Sequence, residues 1–147
     1  MSRQIHDPGI EFKFRTPVQM RFSDFDMFGH ANNTSYFQYC DLGKFQYFTQ
    51  FLDRPFDPTE NGLVIAGITA EFAHPLLPSD RAEVFTAVAS IGTSSLTLEQ
   101  RVVSDGGRKI HAAITTVLVQ FDAATGQTAP ISDDWRRRLG EFEGRKL

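Results

Sequence analysis

The sequence predicts a two-layer α+β domain, an antiparallel sheet curled around one long helix. Three observations predict it: period-two alternation near the N-terminus, one extended segment of helical periodicity, and a series of strand-like runs after it. The 147 residues suit a single domain spanning 1–147, with no Ser/Gly/Pro linker or repeat to divide them.

Phe12, Phe14, Val18, Met20 and Phe22 are apolar, and Lys13, Arg15, Gln19, Arg21 and Ser23 fall between them. That period predicts a strand with one buried face, and Pro17 predicts that it lies at a sheet edge. Residues 23–34 carry turn and cap types. Tyr36, Cys40, Gly43, Tyr47 and Phe51 then recur at helical spacing. Asn32, Asn33 or Thr34 can cap this helix, and Arg54-Pro55 ends it after roughly 18 residues, about 27 Å. Gly43 in its middle costs about 1 kcal/mol against Ala, which close approach to another backbone would offset. Leu42, Phe45 and Leu52 lie off the main face, so the helix is expected to be enclosed by its own sheet or by a partner chain.

After a loop over Asp53–Asn61, strands are expected over Leu63–Pro75, over Ala82–Ile91, around Leu96–Val102 and through Ile110–Val119. They are read as four strands in antiparallel succession, with Asp105-Gly106-Gly107 as a hairpin turn. Ser132 caps a final short helix with Asp133 and Asp134 in its first turn, and Arg136, Arg137 and Arg138 are placed in its last turn as solvated charge.

Composition excludes several functions. The net charge is −3, from 15 Lys plus Arg against 18 Asp plus Glu, so the dense basic footprint of nucleic-acid binding is absent. The single cysteine, Cys40, excludes an internal disulfide framework and a cysteine-rich zinc module; on the helix's apolar face it reads as core. No apolar run suits a signal peptide or membrane span, so a cytoplasmic protein without membrane association is expected.

One segment concentrates chemically useful groups, Asp24-x-Asp26-x-x-Gly29-His30-x-Asn32-Asn33-x-x-Tyr36, between the first strand and the long helix. The first amides of a helix have no intrahelical acceptor, and its dipole favours negative charge there. A carboxylate beside such an end suits attack on a carbonyl. Asp26 is also a natural turn residue, and Asp24 reads as a brace for local amides. His30 can orient water or fix the turn, Asn32 is a cap or brace, and Tyr36 lies on the buried helix face. Asp24, Asp26 and His30 could in principle hold a metal, but no further ligand cluster accompanies them, so no metal is expected. His74 and His111 read as structural, and Glu71 as surface-facing.

This motif, followed by Glu71-Phe72-Ala73-His74-Pro75 ahead of Asp80, resembles the 4-hydroxybenzoyl-CoA thioesterase-like branch of the hotdog-fold acyl-CoA thioesterases. The resemblance implies a hotdog fold, hydrolysis of an acyl-CoA without a cofactor, and a homodimer or homotetramer with sites at subunit interfaces. It places the catalytic carboxylate at Asp26, as nucleophile or general base, and the carbonyl-polarising amide at Asn33. His30 joins them as a catalytic candidate, and Asn32, Tyr36 and Phe28 as substrate-binding candidates. A thiol leaves with a pKa around 8.5, so no strong general acid is required. The alternatives are a thioesterase acting on acyl carrier protein and a non-catalytic acyl-thioester binding module. Coenzyme A phosphates call for local positive charge, with Arg81, Arg101, Arg108 and Lys109 available. Phe supplies 14 residues against 3 Tyr and 1 Trp. Those on the helix and around the motif are expected to divide between the core, a subunit interface and the wall of an acyl pocket.

Overall fold

In the computed structural model, which describes residues 4–57, 59 and 62–147, the alternating segment forms only a short strand, β1 (Phe14–Pro17). The readings of the stretch from Met1 and of the loop to Asn61 fall partly outside the described residues. Beyond Pro17 the chain leaves the sheet and makes a 3-10 turn at Phe22–Asp24. The long helix, α1 (Asn33–Leu52), follows. Next come β2 (Gly62–Phe72), β3 (Glu83–Ile91), β4 (Ser95–Ser104), β5 (Lys109–Phe121) and the terminal helix α2 (Asp133–Glu143).

The five strands form one sheet in the order β1-β3-β4-β5-β2, every pair antiparallel. Pro17 sits in an edge strand, as its missing donor requires. The succession differs from the sequence reading at one point. β2 and β3 do not pair, because β2 lies beyond β5 at the opposite edge. The connection between them holds Pro75 and Pro78 and no two-residue hairpin turn, so it crosses the sheet. Between β4 and β5, Asp105, Gly106 and Gly107 all take positive φ in a tight turn.

The sheet wraps α1, which packs on β1, β3 and β4 in the hotdog arrangement. Asn32 caps the helix, its side-chain oxygen accepting from the Thr34 N–H at 3.1 Å, and Asp53 ends it in the left-handed conformation. Tyr36, Cys40, Gly43, Tyr47 and Phe51 are all buried, whereas Leu42 and Phe45 remain exposed. One core cluster joins Tyr36, Tyr39 and Cys40 to Val84, Val102 and Ile114. A second joins Tyr47, Phe48 and Phe51 to Leu96, Leu98, Leu118 and Leu139. Burial pushes the Cys40 thiol up to about 12, which leaves it a small hydrophobe rather than a nucleophile.

Gly43 is explained by contact with side chains rather than with backbone. A Cβ there would stand 2.9 Å from Val84 Cγ1 and 3.1 Å from both Thr86 Oγ1 and Gln100 Nε2. Gln100 is buried beneath the helix and donates to Cys40 O at 2.8 Å and Thr86 Oγ1 at 3.0 Å. Gly43→Ala is therefore expected to destabilise by about 1 kcal/mol net, overpacking outweighing the gain in helix propensity. Urea unfolding of the two proteins checks the sign.

The arginine triplet is corrected by the extent of α2. The helix runs on to Glu143 and stops at Gly144 in the left-handed conformation, so Arg136–Arg138 lie mid-helix. Arg136 donates to Thr93 O at 3.0 Å and Gly92 O at 2.6 Å, Arg137 bridges Asp134 and Glu141, and Arg138 packs over the Phe51 ring. Arg136 and Arg138 dock α2 on the rest of the fold, and Arg137 is the solvated charge of the three. Glu143, buried, accepts from the Tyr47 hydroxyl and from the Val88 N–H at 2.8 Å, joining the end of α2 to α1 and β3.

Candidate active site

The motif loop is closed by backbone pairing. Phe25 and Ala31 form an antiparallel bridge, the Asp26 N–H donates to His30 O at 3.0 Å, and the Asn32 N–H donates to Asp24 O at 2.7 Å. Gly29 turns the loop with φ +78°, a conformation an L side chain rarely adopts. The loop therefore holds Asp26 at the start of its tight turn, with Met27 and Phe28 at the tip, and delivers the chain directly into the α1 N-terminus.

The two aspartates of the motif differ sharply. Asp24 is 2% exposed, and its carboxylate accepts from the Arg21 N–H at 2.9 Å, the Arg21 guanidinium at 3.1 Å and the Tyr39 hydroxyl at 2.7 Å. Burial alone would raise its pKa. The Arg21 N–H, the Tyr39 hydroxyl and the Arg21 charge outweigh burial and hold the carboxyl below its usual range. Burial and the facing carboxylate in turn raise the Tyr39 phenol, which stays protonated as donor. Asp26 is exposed and makes one side-chain bond, accepting from the Phe28 N–H at 2.9 Å. One carboxylate oxygen holds the turn, and the other has no hydrogen-bond partner among the described residues.

The Asn33 amide is the first of α1, with no intrahelical acceptor, and it donates to no other described residue. Asn32 Oδ1 is occupied by capping, accepting from both the amide and the hydroxyl of Thr34. The His30 side chain is exposed, and its backbone carbonyl accepts from the Asp26 N–H. Tyr36 is buried beneath the loop, its ring 5.3 Å from that of Phe72 and its hydroxyl accepting from the Leu76 N–H at 3.3 Å. Burial, chiefly, and the charges of Asp80 and Asp26 raise the Tyr36 phenol, the Leu76 N–H acting against them.

Around the loop lies an apolar surface with little reason to face water. Phe22 is 98%, Met27 91% and Phe28 74% exposed. The surface continues along β2, where Val64, Ile65, Ile68 and Phe72 are exposed. A bulge at Ala66 shifts the register, so Ile65, Ile68 and Phe72, opposite Leu118, Thr116 and Ala112, share the face toward α1. At the far end of that face a cavity of about 250 Å³ opens between α1 and β2, lined by Phe45, Phe48, Phe56, Leu63, Ile65 and Leu118. The Lys44–Asp41 ion pair, 3.1 Å, borders it. The cavity starts two turns along α1, away from Asp26 itself. The sequence reading marks Phe45 and Phe48 but not the β2 residues, because they become a wall only when β2 leaves the middle of the sheet for its edge.

The basic residues separate in the same way. Arg101 is buried, pairing with Glu99 at 3.0 Å and donating to Gln100 O and His6 O, so its charge is already committed. The sequence reading makes it available to the coenzyme A phosphates. The N-terminal segment covers it, Phe12 packing on the guanidinium. Arg108 is exposed and paired with Asp105. Among the described residues no three His, Cys, Asp or Glu side chains form a metal cluster.

The family model of the thioesterase-like superfamily matches residues 20–139 of this chain. The chain belongs to that superfamily. This thioesterase is similar in structure to a thioesterase of Thermus thermophilus solved with coenzyme A and zinc. The two are 31% identical with a TM-score of 0.78, the match covering 89% of this chain and 95% of that one. The YsmA protein of Bacillus subtilis strain 168, itself uncharacterized, is 27% identical over 87% of the thioesterase described here and 86% of its own length. A DHNA-CoA thioesterase of Staphylococcus aureus is 12% identical with a TM-score of 0.74 over 88% of this chain and 90% of its own, and shares the fold. The thioesterase is a thioester hydrolase, and among the described residues no helix is long and apolar enough to cross a membrane.

Proposed function

We propose that the chain hydrolyses acyl-CoA thioesters, with Asp26 as the catalytic carboxylate and the Asn33 amide as the donor to the thioester carbonyl. The observation that carries this reading is an exposed carboxylate on a closed loop that leads into an uncapped helix amide. As general base, Asp26 takes a proton from water while the water oxygen bonds to the carbonyl carbon. The carbonyl electrons move to oxygen, where the Asn33 N–H receives the developing charge. Collapse of that intermediate breaks the carbon–sulfur bond and releases the thiolate of coenzyme A, which is protonated by solvent, and the free acid. As nucleophile, Asp26 bonds to the carbonyl carbon, the carbon–sulfur bond breaks to release the thiolate, and water opens the resulting mixed anhydride to the free acid and the Asp26 carboxylate. His30 is assigned the orienting of the water, and Asn32 acts through capping.

The acyl group is assigned to the apolar groove between α1 and β2, with Phe28 at its entrance and Tyr36 beneath it. Thiol release from aromatic, short-chain and long-chain acyl-CoA, and from the same acyl groups on acyl carrier protein, tests the reading. Turnover of acyl-CoA supports it. Turnover confined to carrier-protein thioesters, or binding without turnover, contradicts it.

A homodimer formed through β2 completes this reading. The outer side of β2 is an unpaired, apolar sheet edge among the described residues, and such edges are normally blunted by charge or covered. A second copy would cover Val64 and close the groove. Val64→Lys/Thr69→Lys, placed on the face of β2 away from α1, is expected to yield monomers in light scattering and to lower activity at least about tenfold. An unchanged mass for this variant, or a monomeric wild type, contradicts the assembly.

A further inference from the structure

The strand β5 holds a buried histidine for which the reaction above has no use. Val102 pairs with Ala112 but Val103 with Ile110, so His111 is the extra residue of a β-bulge. Strict alternation would put its side chain on the same face as Ala113. The bulge instead re-aims it into the protein, where it is fully buried. Its Nδ1 lies 3.1 Å from both His74 O and Pro75 O, and its Nε2 lies 2.7 Å from Ser104 Oγ. Two carbonyls can only accept, so Nδ1 carries the proton and Nε2 accepts from the Ser104 hydroxyl. Burial, against the pull of the two carbonyls and of Asp80, keeps the imidazole below its usual pKa and therefore neutral.

The segment that His111 grips touches the motif directly. The Ala73 N–H returns to His111 O at 2.9 Å, and two residues beyond His74 comes Leu76, fully buried. Leu76 donates its N–H to the Tyr36 hydroxyl at 3.3 Å and accepts from the Ala31 N–H at 2.9 Å. Ala31 is the bridge partner of Phe25, next to Asp26, and stands two residues before Asn33. One chain of bonds thus runs from Ser104 through His111 and the 74–76 segment to both ends of the motif loop.

We propose that His111 is a positioning residue. Its Nδ1–H, fixed by Ser104, clamps the His74 and Pro75 carbonyls and so sets where Leu76 holds the Asp26 loop and the α1 N-terminus relative to each other. His111 itself is fully buried and does not line the cavity between α1 and β2. Loss of the clamp acts on the geometry of the attack and leaves binding intact, because small misplacements of reacting groups cost rate steeply. The proposal rests on the reading of Asp26 and the Asn33 amide as the reacting machinery.

The test compares kcat and KM for an acyl-CoA among wild type, Asp26→Asn, His111→Ala, His111→Asn and His111→Gln, each normalised to its folded fraction by near-UV circular dichroism. His111→Ala is expected to lower kcat about tenfold with KM changed less than about twofold. The Asn amide nitrogen reaches the Nδ1 position and is expected to restore most of kcat. The Gln amide reaches the Nε2 position and is expected to restore little. Should His111→Ala not fold, the Asn and Gln pair decides alone. Equal kcat for Asn and Gln, or for Ala and wild type, with Asp26→Asn inactive, overturns the clamp only. Full activity in Asp26→Asn overturns the Asp26 reading and the clamp with it.

Discussion

Asp26→Asn is expected to lower kcat about 1000-fold, within the range that a positioned acid or base supplies, while leaving the fold untouched. The side chain is exposed and its one bond is to the Phe28 N–H at 2.9 Å. Asparagine offers the same acceptor oxygen, so the turn survives and the thermal midpoint should stay within about 2 °C, as for surface changes that break no buried contact. What disappears is the negative charge, and with it both the proton acceptor and the nucleophile. KM should move little, because the carboxylate contributes to the attack and not to holding the acyl group or coenzyme A.

Two positions earlier the same residue type should behave in the opposite way. Asp24→Ala is expected to destabilise the protein by about 3 kcal/mol, since it strands the buried Tyr39 hydroxyl and the Arg21 N–H at about 1–3 kcal/mol each. The Arg21 guanidinium adds little, being mostly exposed. The loss should depend on pH. The Asp24 pKa is depressed in the folded state, so its contribution is fully present above the unfolded carboxyl pKa near 3.9 and disappears as pH falls through the lower folded value. Urea unfolding at pH 7 and at descending acid pH should show the gap between wild type and Asp24→Ala narrowing with acidity. A gap that is constant, or that widens, contradicts the placement of this carboxylate.

Much of this was legible in the residues. The spacing of Tyr36, Cys40, Gly43, Tyr47 and Phe51 specifies the buried face of α1, because helical geometry leaves no other way to bring them together. Pro17 marks an edge strand for want of a donor. The aspartates, Gly29 and Asn32 mark a turn and cap whose local hydrogen bonds need no distant partner. What stayed hidden depends on long-range pairing. Period-two alternation identifies β2 and β3 as strands but not their neighbours, so the apolar wall of Ile65, Ile68 and Phe72 came to light only with the sheet order. The bulge at His111 changes which way that side chain points, and nothing in the apolar run from Ile110 onward announces an extra residue. Arg101 reads as charge available to a phosphate until the N-terminal segment is seen lying over it.

The Phe surplus divides along the same line. Phe48 and Phe51 are core, Phe25 and Phe37 are partly buried against it, and Phe22, Phe28 and Phe45 stay exposed. Burial against α1 was written into the helical spacing. The proposed function gives the exposed set a use, in the acyl groove and in the contact with a second copy.

The most direct test of the central claim is release of free thiol from an acyl-CoA, followed for wild type and Asp26→Asn at equal folded concentration. The account predicts turnover by wild type and a loss of about three orders of magnitude in the variant with KM little changed. An Asp26→Asn protein that hydrolyses acyl-CoA at the wild-type rate would contradict it.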